Sequence, residues 1–416
     1  MFRFIHTADW HLGQSFYGYD RDFEHGRFLE WLLAKLIERQ PDALLIAGDV
    51  FDTVNPAATA LRRFYEFLAR VHTAMPSLQV VLTAGNHDAA ARLEAPAELF
   101  QNLNITAVGT VARDAAGQVR YGKFLVPLRS VEGCVVAIAV AVPFLRPSDV
   151  PELPGANDAY LDGVREMYRQ AAEAAREMRD GQFPGAALVA LGHCHLQGGA
   201  ESRDSERRLI IGGAEGLKPD IFPVEFAYVA LGHLHKPQKF EGGRIQYSGS
   251  PIPLSFSELE YAHRVVEVEL AATGISFTTH AIPKTAALVC VPTRSAPLAE
   301  VLRLLAEFPA AENLPADEWP FLEVRVLDDG PDPLRRLRIE QALAGKAARL
   351  ASIKLALPER EAAVASPQAE PSLADLASMD PLDLLCVAHR DRYATEPDAE
   401  LLTAFREILA MEGTRA

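Results

Sequence analysis

Cysteine is scarce in this chain: 4 among 416 residues, at Cys134, Cys194, Cys290 and Cys386, far apart and with no C-x-x-C spacing. That excludes a disulfide framework and reads as reduced, buried, small side chains. No long hydrophobic run is present either. The most apolar stretch, Cys134 to Val142, is less than half of the about 20 residues that a membrane-spanning helix needs. The start, Met1 to Trp10, lacks a basic head followed by an apolar segment, so no signal peptide is expected, and the protein is expected in the cytoplasm with no membrane role. Positive charge is also in short supply: 41 Lys plus Arg against 56 Asp plus Glu give a formal charge of −15. A net acidic chain is no general polyanion binder, and any contact with nucleic acid needs a local basic patch, a metal centre or a basic partner. What the chain does have is a hydrophobic content of 49% and, at about 150 residues per domain, the length for two or three globular units.

Short apolar or β-branched runs recur at Phe2–His6, Ala43–Ala47, Val80–Thr83, Val135–Val142, Leu188–Leu191, Tyr228–Leu231 and Val265–Leu270, each bounded by Gly, Pro or Asp. They predict buried strands. Between them lie helical stripes, one marked by Leu61, Phe64, Leu68, Val71 and Met75 before Pro76, another by Leu161, Val164, Met167, Tyr168, Ala171 and Met178. The alternation predicts an α/β sheet covered by helices over residues 1–283. Near Pro283 a new pattern begins: strands at Leu288–Val291, Leu322–Val326 and Ile353–Leu357, and helices at Leu298–Phe308 and Leu334–Leu343. This predicts a small α+β unit over 284–357. Its segment Pro331–Lys354 holds Arg335, Arg336, Arg338, Lys346, Arg349 and Lys354 against Asp332 and Glu340, a basic island in an acidic chain. Residues 358–371, rich in Ala, Glu, Pro and Ser, read as a linker. The last segment, 372–416, reads as acidic helices with too few apolar residues for a core of their own, suited to docking on a partner other than DNA.

Five polar clusters each follow a predicted strand: Asp9-Trp10-His11, Gly48-Asp49-Val50-Phe51-Asp52, Gly85-Asn86-His87-Asp88, Gly192-His193-Cys194-His195 and Gly232-His233-Leu234-His235. In an open α/β sheet the carboxyl ends of strands converge on one rim, so the clusters belong to one site. Carboxylate, amide and imidazole together suit Mn, Fe or Zn. Two such ions about 3.5–4 Å apart activate water and stabilise in-line displacement at phosphorus, which makes phosphoester hydrolysis the expected reaction.

The five clusters, in this order, resemble the signature of the calcineurin-like metallophosphoesterases: D-x-H, G-D-x-x-D, G-N-H-[DE], a G-H and a terminal G-H-x-H. The stretches Thr7–Gly13, Ala47–Asp52 and Tyr247–Phe256 are similar, more closely, to the SbcD family of bacterial nuclease subunits. The resemblance implies a sheet sandwich flanked by helices, with a small α+β cap domain and C-terminal helices. It implies one ion held by Asp9, His11, Asp49 and His235, and a second by Asp49, Asn86, His193 and His233, with Mn²⁺ the expected metal at both. His87 would contact the scissile phosphate and Asp88 would orient it; relatives outside bacteria usually carry histidine where this chain has Asp52. The implied activity is a double-strand 3'–5' exonuclease and a single-strand or hairpin endonuclease acting in DNA repair, recombination and replication. The implied partners are DNA ends and hairpins and the ATPase SbcC, in an assembly with two copies of each, with the cap positioning DNA and the acidic helices binding SbcC.

Plainer readings stand beside these. Cys194 reads as a packed small residue, His195 as a neighbour rather than a ligand, and His6, His25, His72, His263, His280 and His389 as structural or surface histidines. The Leu61–Met75 stripe reads as core, although in the family helices of this region form a homodimer contact. Rival functions are a small-substrate phosphodiesterase and a non-catalytic scaffold for DNA ends. A protein phosphatase of the same fold is disfavoured because Thr53 and Val54, not Arg and Gly, follow Asp52, and Asp88, not Glu, follows His87.

Overall fold

A computed structural model of the chain describes residues 1–156, 158–202, 205–206, 216–328, 330–356, 380–393 and 395–412. The linker expected at 358–371 lies outside these residues, as do the ends of the helical stretch expected at 372–416. The chain divides into two compact units, Met1–Leu288 and Val289–Ala416.

Two six-stranded sheets build the first unit. One runs, edge to edge, through Gly274–Ala281, Arg264–Ala271, Phe2–Thr7, Ala43–Ala47, Gln79–Thr83 and Ile105–Val108. Its last four strands are parallel, and Arg264–Ala271 lies antiparallel to Phe2–Thr7. The other sheet runs through Gln238–Phe240, Ile245–Tyr247, Phe226–Gly232, Ala187–His193, Val135–Ala141 and Leu125–Arg129, parallel through its four central strands.

Strand periodicity explains how the sheets stack. On Phe2–Thr7 the residues Phe2 and Phe4 enter one hydrophobic cluster with Leu45, Val81, Val140, Val189 and Val229, which joins the two sheets. The Phe4 and Tyr228 rings meet there at 5.7 Å. Ile5, Leu44, Ile46, Val80 and Leu82 point the opposite way, into a second cluster with Phe28, Leu32, Phe64, Phe67 and Leu68 from the helices Asp22–Arg39 and Ala58–Ala74. Strands covered on both faces read as unbroken apolar runs, which is how they stand in the sequence. The Leu61–Met75 stripe is therefore core: Phe64, Leu68 and Val71 are buried, while Tyr65 on the outer face is exposed. The helix Ala159–Gln182 lies on the second sheet through Val164, Met167, Tyr168 and Ala171, and the Asp158 side chain caps it by accepting from the backbone N–H groups of Tyr160 and Leu161.

In the second unit Leu288–Ala296, Phe321–Leu327 and Arg349–Ala356 form a three-stranded sheet. The helices Leu298–Ala306 and Arg335–Ala342 cover it through Val301, Leu305 and Ile339 against Leu322, Val324 and Val326. Each basic residue of the 331–354 island has a partner within the chain. Arg335 is buried, 3.3 Å from Asp328 and donating to the Gly330 carbonyl, and Lys346 donates to the carbonyls of Ala306 and Phe308. Arg349 donates to the Trp319 carbonyl and stacks on Phe321. Arg336 pairs with Glu340, Arg338 with Asp332 and Lys354 with Glu323. Later in the chain come the helices Pro381–Tyr393 and Ala399–Glu412, on which Leu384, Val387, Leu401 and Ile408 are exposed. Among the described residues no helix is long and apolar enough to cross a membrane.

Candidate metal centre

Five loops meet at one rim because five parallel strands deliver them there: Phe2–Thr7, Ala43–Ala47 and Gln79–Thr83 from one sheet, Ala187–His193 and Phe226–Gly232 from the other. Hydrogen bonds between loops lock the arrangement, with Asp9 N–H on the Gly48 carbonyl at 3.1 Å and His11 N–H on the Asp49 carbonyl at 3.0 Å. The approach is too close for side chains on the intervening glycines. A Cβ on Gly48, whose φ is +86°, would stand 2.2 Å from His193 Nδ1, and one on Gly232 would stand 2.0 Å from the Ala47 carbonyl oxygen. Asp9, His11, Asp49 and His233 themselves adopt left-handed φ values of 56°, 46°, 47° and 103°. Such backbone is costly for non-glycine residues and persists where the surrounding loops over-determine it, as they do here.

The side chains form a continuous cluster. Nδ1 of His233 and Nε2 of His193 each lie 3.0 Å from Asn86 Oδ1, and His193 Nε2 lies 3.3 Å from Asp49 Oδ2. On the far side of Asp49, His11 Nε2 is 3.6 Å from the same Oδ2. Asp9, His11 and His235 offer ligand atoms that all lie within 4.8 Å of one another, as do Asp9, Asp49 and His193. Asp9 Oδ2 and His11 Nε2 are buried with no hydrogen-bond partner among the described residues. A buried polar atom without a partner costs about 1–3 kcal/mol, so two of them aimed into one nitrogen and oxygen cluster fit a cation. The donor set is that of a borderline metal such as Mn, Fe or Zn, with no thiolate in it. Burial pushes the Cys194 thiol up to about 12, and the residue packs in the core. His195 pairs with Glu201 at 3.4 Å and its ring stands 6.2 Å from that of His233, outside the ligand cluster.

Charge in the cluster is mutually supported. Burial raises the Asp9 carboxyl to about 7. Burial also opposes the charge of Asp49, but His193, His11 and His87 outweigh it and hold that carboxyl well below the usual range. For His193 burial opposes protonation, yet Asp49 and Asp9 prevail and lift the imidazole to about 9. A cation would take over the role of these protons.

Residues 2–237 match the family model for calcineurin-like phosphoesterases, and residues 285–393 match that of the Type 5 capsule protein repressor C-terminal domain. The SbcD subunit of the SbcCD nuclease from Rhodobacter capsulatus is 40% identical over 371 residues, covering 88% of this chain and 90% of its own length. The chain belongs to the SbcD family. SbcD relatives of the same name in Bacillus subtilis and Escherichia coli K12 are 33% and 35% identical, covering 81% and 63% of this chain and 82% and 64% of their own. Membership makes this SbcD-family chain a metal-dependent hydrolase of phosphodiesters.

The residues around the candidate ligands depart from expectation. Asp88 meets backbone amides rather than the His87 ring. Its carboxylate accepts from the backbone N–H groups of Gly85 at 2.9 Å, Phe51 at 2.9 Å and Val50 at 3.2 Å, so it ties the Asn86 loop to the Asp49 loop. A carboxylate whose acceptors are filled by three amides has its geometry fixed by the backbone. His87 Nδ1 meets the Asp52 carbonyl oxygen at 2.7 Å instead, while the Asp52 carboxylate accepts from His11 Nδ1 at 3.2 Å. One residue thus sets two imidazoles. Sequence reasoning missed Glu258, buried, whose Oε1 lies 2.9 Å from His235 Nδ1. It sits two residues beyond the 247–256 run that signalled the SbcD family, and its other oxygen accepts from Leu254 N–H and Ser250 Oγ. Against burial, Glu258 lifts His235 to about 9 and is itself held down at about 2. A carboxylate on the far nitrogen of a ligating histidine fixes its tautomer and raises its basicity.

Proposed function

We propose that the chain is a Mn²⁺-dependent DNA nuclease, a double-strand 3'–5' exonuclease and a single-strand or hairpin endonuclease that processes DNA ends in repair, recombination and replication. Asp9, His11, Asp49 and His235 hold one ion; Asp49, Asn86, His193 and His233 hold the other. Ions placed there supply Lewis acidity and an activated water for in-line attack at phosphorus. The observation that carries the reading is the pair of buried ligand atoms without partners, Asp9 Oδ2 and His11 Nε2, in an SbcD-family chain.

The protein's own residues do the positioning. Ala47, Asp52 and Glu258 occupy Nδ1 of His193, His11 and His235, which turns each Nε2 toward the cluster. His87 is held by its backbone N–H on Asp49 Oδ1 and its Nδ1 on the Asp52 carbonyl. Its Nε2 is then the atom that meets the scissile phosphate and protonates the leaving oxygen. Asp88 fixes the loop that carries it.

In the same proposal residues 284–357 position DNA, residues 372–416 bind the SbcC ATPase, and the chain forms a homodimer within a heterotetramer. The exposed apolar residues of the last two helices support the docking role. With Phe64, Leu68 and Val71 taken up by the core, a dimer contact through Ala58–Ala74 uses its outer face, Tyr65 included. The test is cleavage of a labelled hairpin-ended duplex and of bis-p-nitrophenyl phosphate, with Mn²⁺ or with EDTA, by wild type and His87→Ala. Metal-dependent cleavage of both, with duplex cutting lowered about 10²–10⁴-fold in the variant, is expected. Cleavage of the small diester alone, even with SbcC and ATP added, would replace the nuclease by a small-substrate phosphodiesterase.

A further inference from the structure

We propose that Ser205 and Glu206 are positioning residues for His235, and that together with Glu201 and Ser202 they work as a strap holding the terminal G-H-x-H turn in its ligating geometry. The inference rests on the metal reading above. None of the five motifs contains the strap; it stands between the strands Ala187–His193 and Phe226–Gly232.

The strap reaches His235 at two points. Glu206 Oε1 accepts from the backbone N–H of His235 at 2.6 Å. Ser205 Oγ lies 3.2 Å from His235 Nδ1 and donates to Glu258 Oε1, the same oxygen that faces that nitrogen. Ser205, Glu258 and His235 Nδ1 therefore form a closed triangle. The His235 carbonyl is taken by Ser250 N–H at 3.1 Å. With N–H, C=O and Nδ1 all engaged, neither the turn nor the ring has freedom left, and Nε2 remains for the ion.

The strap is itself anchored. Ser205 N–H and Glu206 N–H both donate to the Ser202 carbonyl. Ser202 N–H returns a bond to Glu206 Oε2 at 2.9 Å, and Ser202 Oγ meets the Tyr261 hydroxyl at 3.1 Å. At the strap's other end Glu201 pairs with His195, so these few residues grip both histidine-bearing loops of the second sheet. A structural tie alone would need no hydroxyl at the imidazole; the placement of Ser205 on both the ring nitrogen and its carboxylate is what assigns a role in ligand orientation. Partners of ligating histidines commonly change metal affinity by about 10–100-fold when removed.

The experiment is calorimetric titration of the metal-free full chain with Mn²⁺, together with its metal-free melting temperature, for wild type, Ser205→Ala, Ser205→Thr and Glu206→Gln. The expected result is two sites in wild type, one of them weakened about tenfold or more in Ser205→Ala, the other unchanged, the metal-free melting temperature unmoved, and affinity restored in Ser205→Thr. Glu206→Gln keeps the side-chain volume and gives a selective loss at the same site. Two wild-type sites that are both unaltered in Ser205→Ala and Glu206→Gln would overturn the strap alone. A wild type that binds no Mn²⁺ would remove the metal reading, and the strap with it.

Discussion

The rim of the first unit and the basic island of the second are both dense in ionisable residues, and they differ in what those residues face. At the rim, Asp9 Oδ2 and His11 Nε2 are buried and unanswered among the described residues, although several other atoms of the cluster are held by hydrogen bonds. In the island Arg335, Lys346 and Arg349 donate to Asp328 and to backbone carbonyls, Arg336 and Arg338 sit in surface pairs, and Lys354 reaches the buried Glu323, so each cation has an acceptor even though Arg335 Nε has none of its own among the described residues. Charge that answers itself builds a fold. Unanswered ligand atoms that converge with further carboxylates and imidazoles, as Asp9 Oδ2 and His11 Nε2 do, mark a place for a cation.

The comparison can be broken at its strongest point first. Asp49→Ala removes the oxygen atoms that face both His11 and His193, and loss of both ions and of all measurable diester hydrolysis is expected; metal analysis of the dialysed variant checks it, with retention of two ions as the contrary outcome. In the island, Arg335→Glu sets a second acid against Asp328 in a buried place, and a cost of about 3–5 kcal/mol is expected in denaturant unfolding of the second unit. A neutral result would mean that Arg335 is not structural.

Smaller effects sharpen the contrast. Glu267, on the strand next to the edge of the first sheet, accepts from Arg39 Nε and Nη2 at 2.8 Å each and meets His280 at 2.8 Å. Hydrogen bonding to Arg39 first, then to His280, holds its carboxyl down at about 2 against an ordinary 4.5. A depressed folded-state pKa contributes stability that is fully present above 4.5 and is lost as pH falls toward 2. Glu267→Gln is expected to flatten the acid limb of the melting temperature between those limits, and an unchanged limb would refute the assignment. The smallest effect belongs to Arg336, exposed beside Glu340. Arg336→Glu should leave unfolding unchanged, weaken DNA binding and lower the salt slope by about 1. No change in slope would make Arg336 part of a plain solvated face.

Legibility from sequence follows burial. The strands Ala43–Ala47 and Gln79–Thr83 are legible because both faces are covered, so that Ala43–Ala47 is apolar throughout and Val80–Leu82 is apolar between Gln79 and Thr83. The helix Asp22–Arg39 escapes the apolar pattern, although Phe28, Leu29, Leu32, Leu33 and Leu36 keep its period, because its first turns bury Glu24 and His25. The buried Arg21 and Glu24 pair there satisfies itself, which no hydropathy pattern shows. In the site, the candidate ligands stand in five short motifs and can be named from them. Their supports cannot: Glu258 follows His235 by 23 residues and Asp52 follows His11 by 41.

The sequence by itself determined the strands, the turns after them and the chemical identity of the candidate ligands, because these depend on local pattern and on which side chains can bind a cation. Tertiary structure alone decided which carboxylate serves which imidazole, that Asp88 braces two loops rather than one ring, and that Arg335 is interior. Those outcomes depend on distances between residues remote along the chain, fixed when two sheets close on a common core and bring five strand ends to one edge.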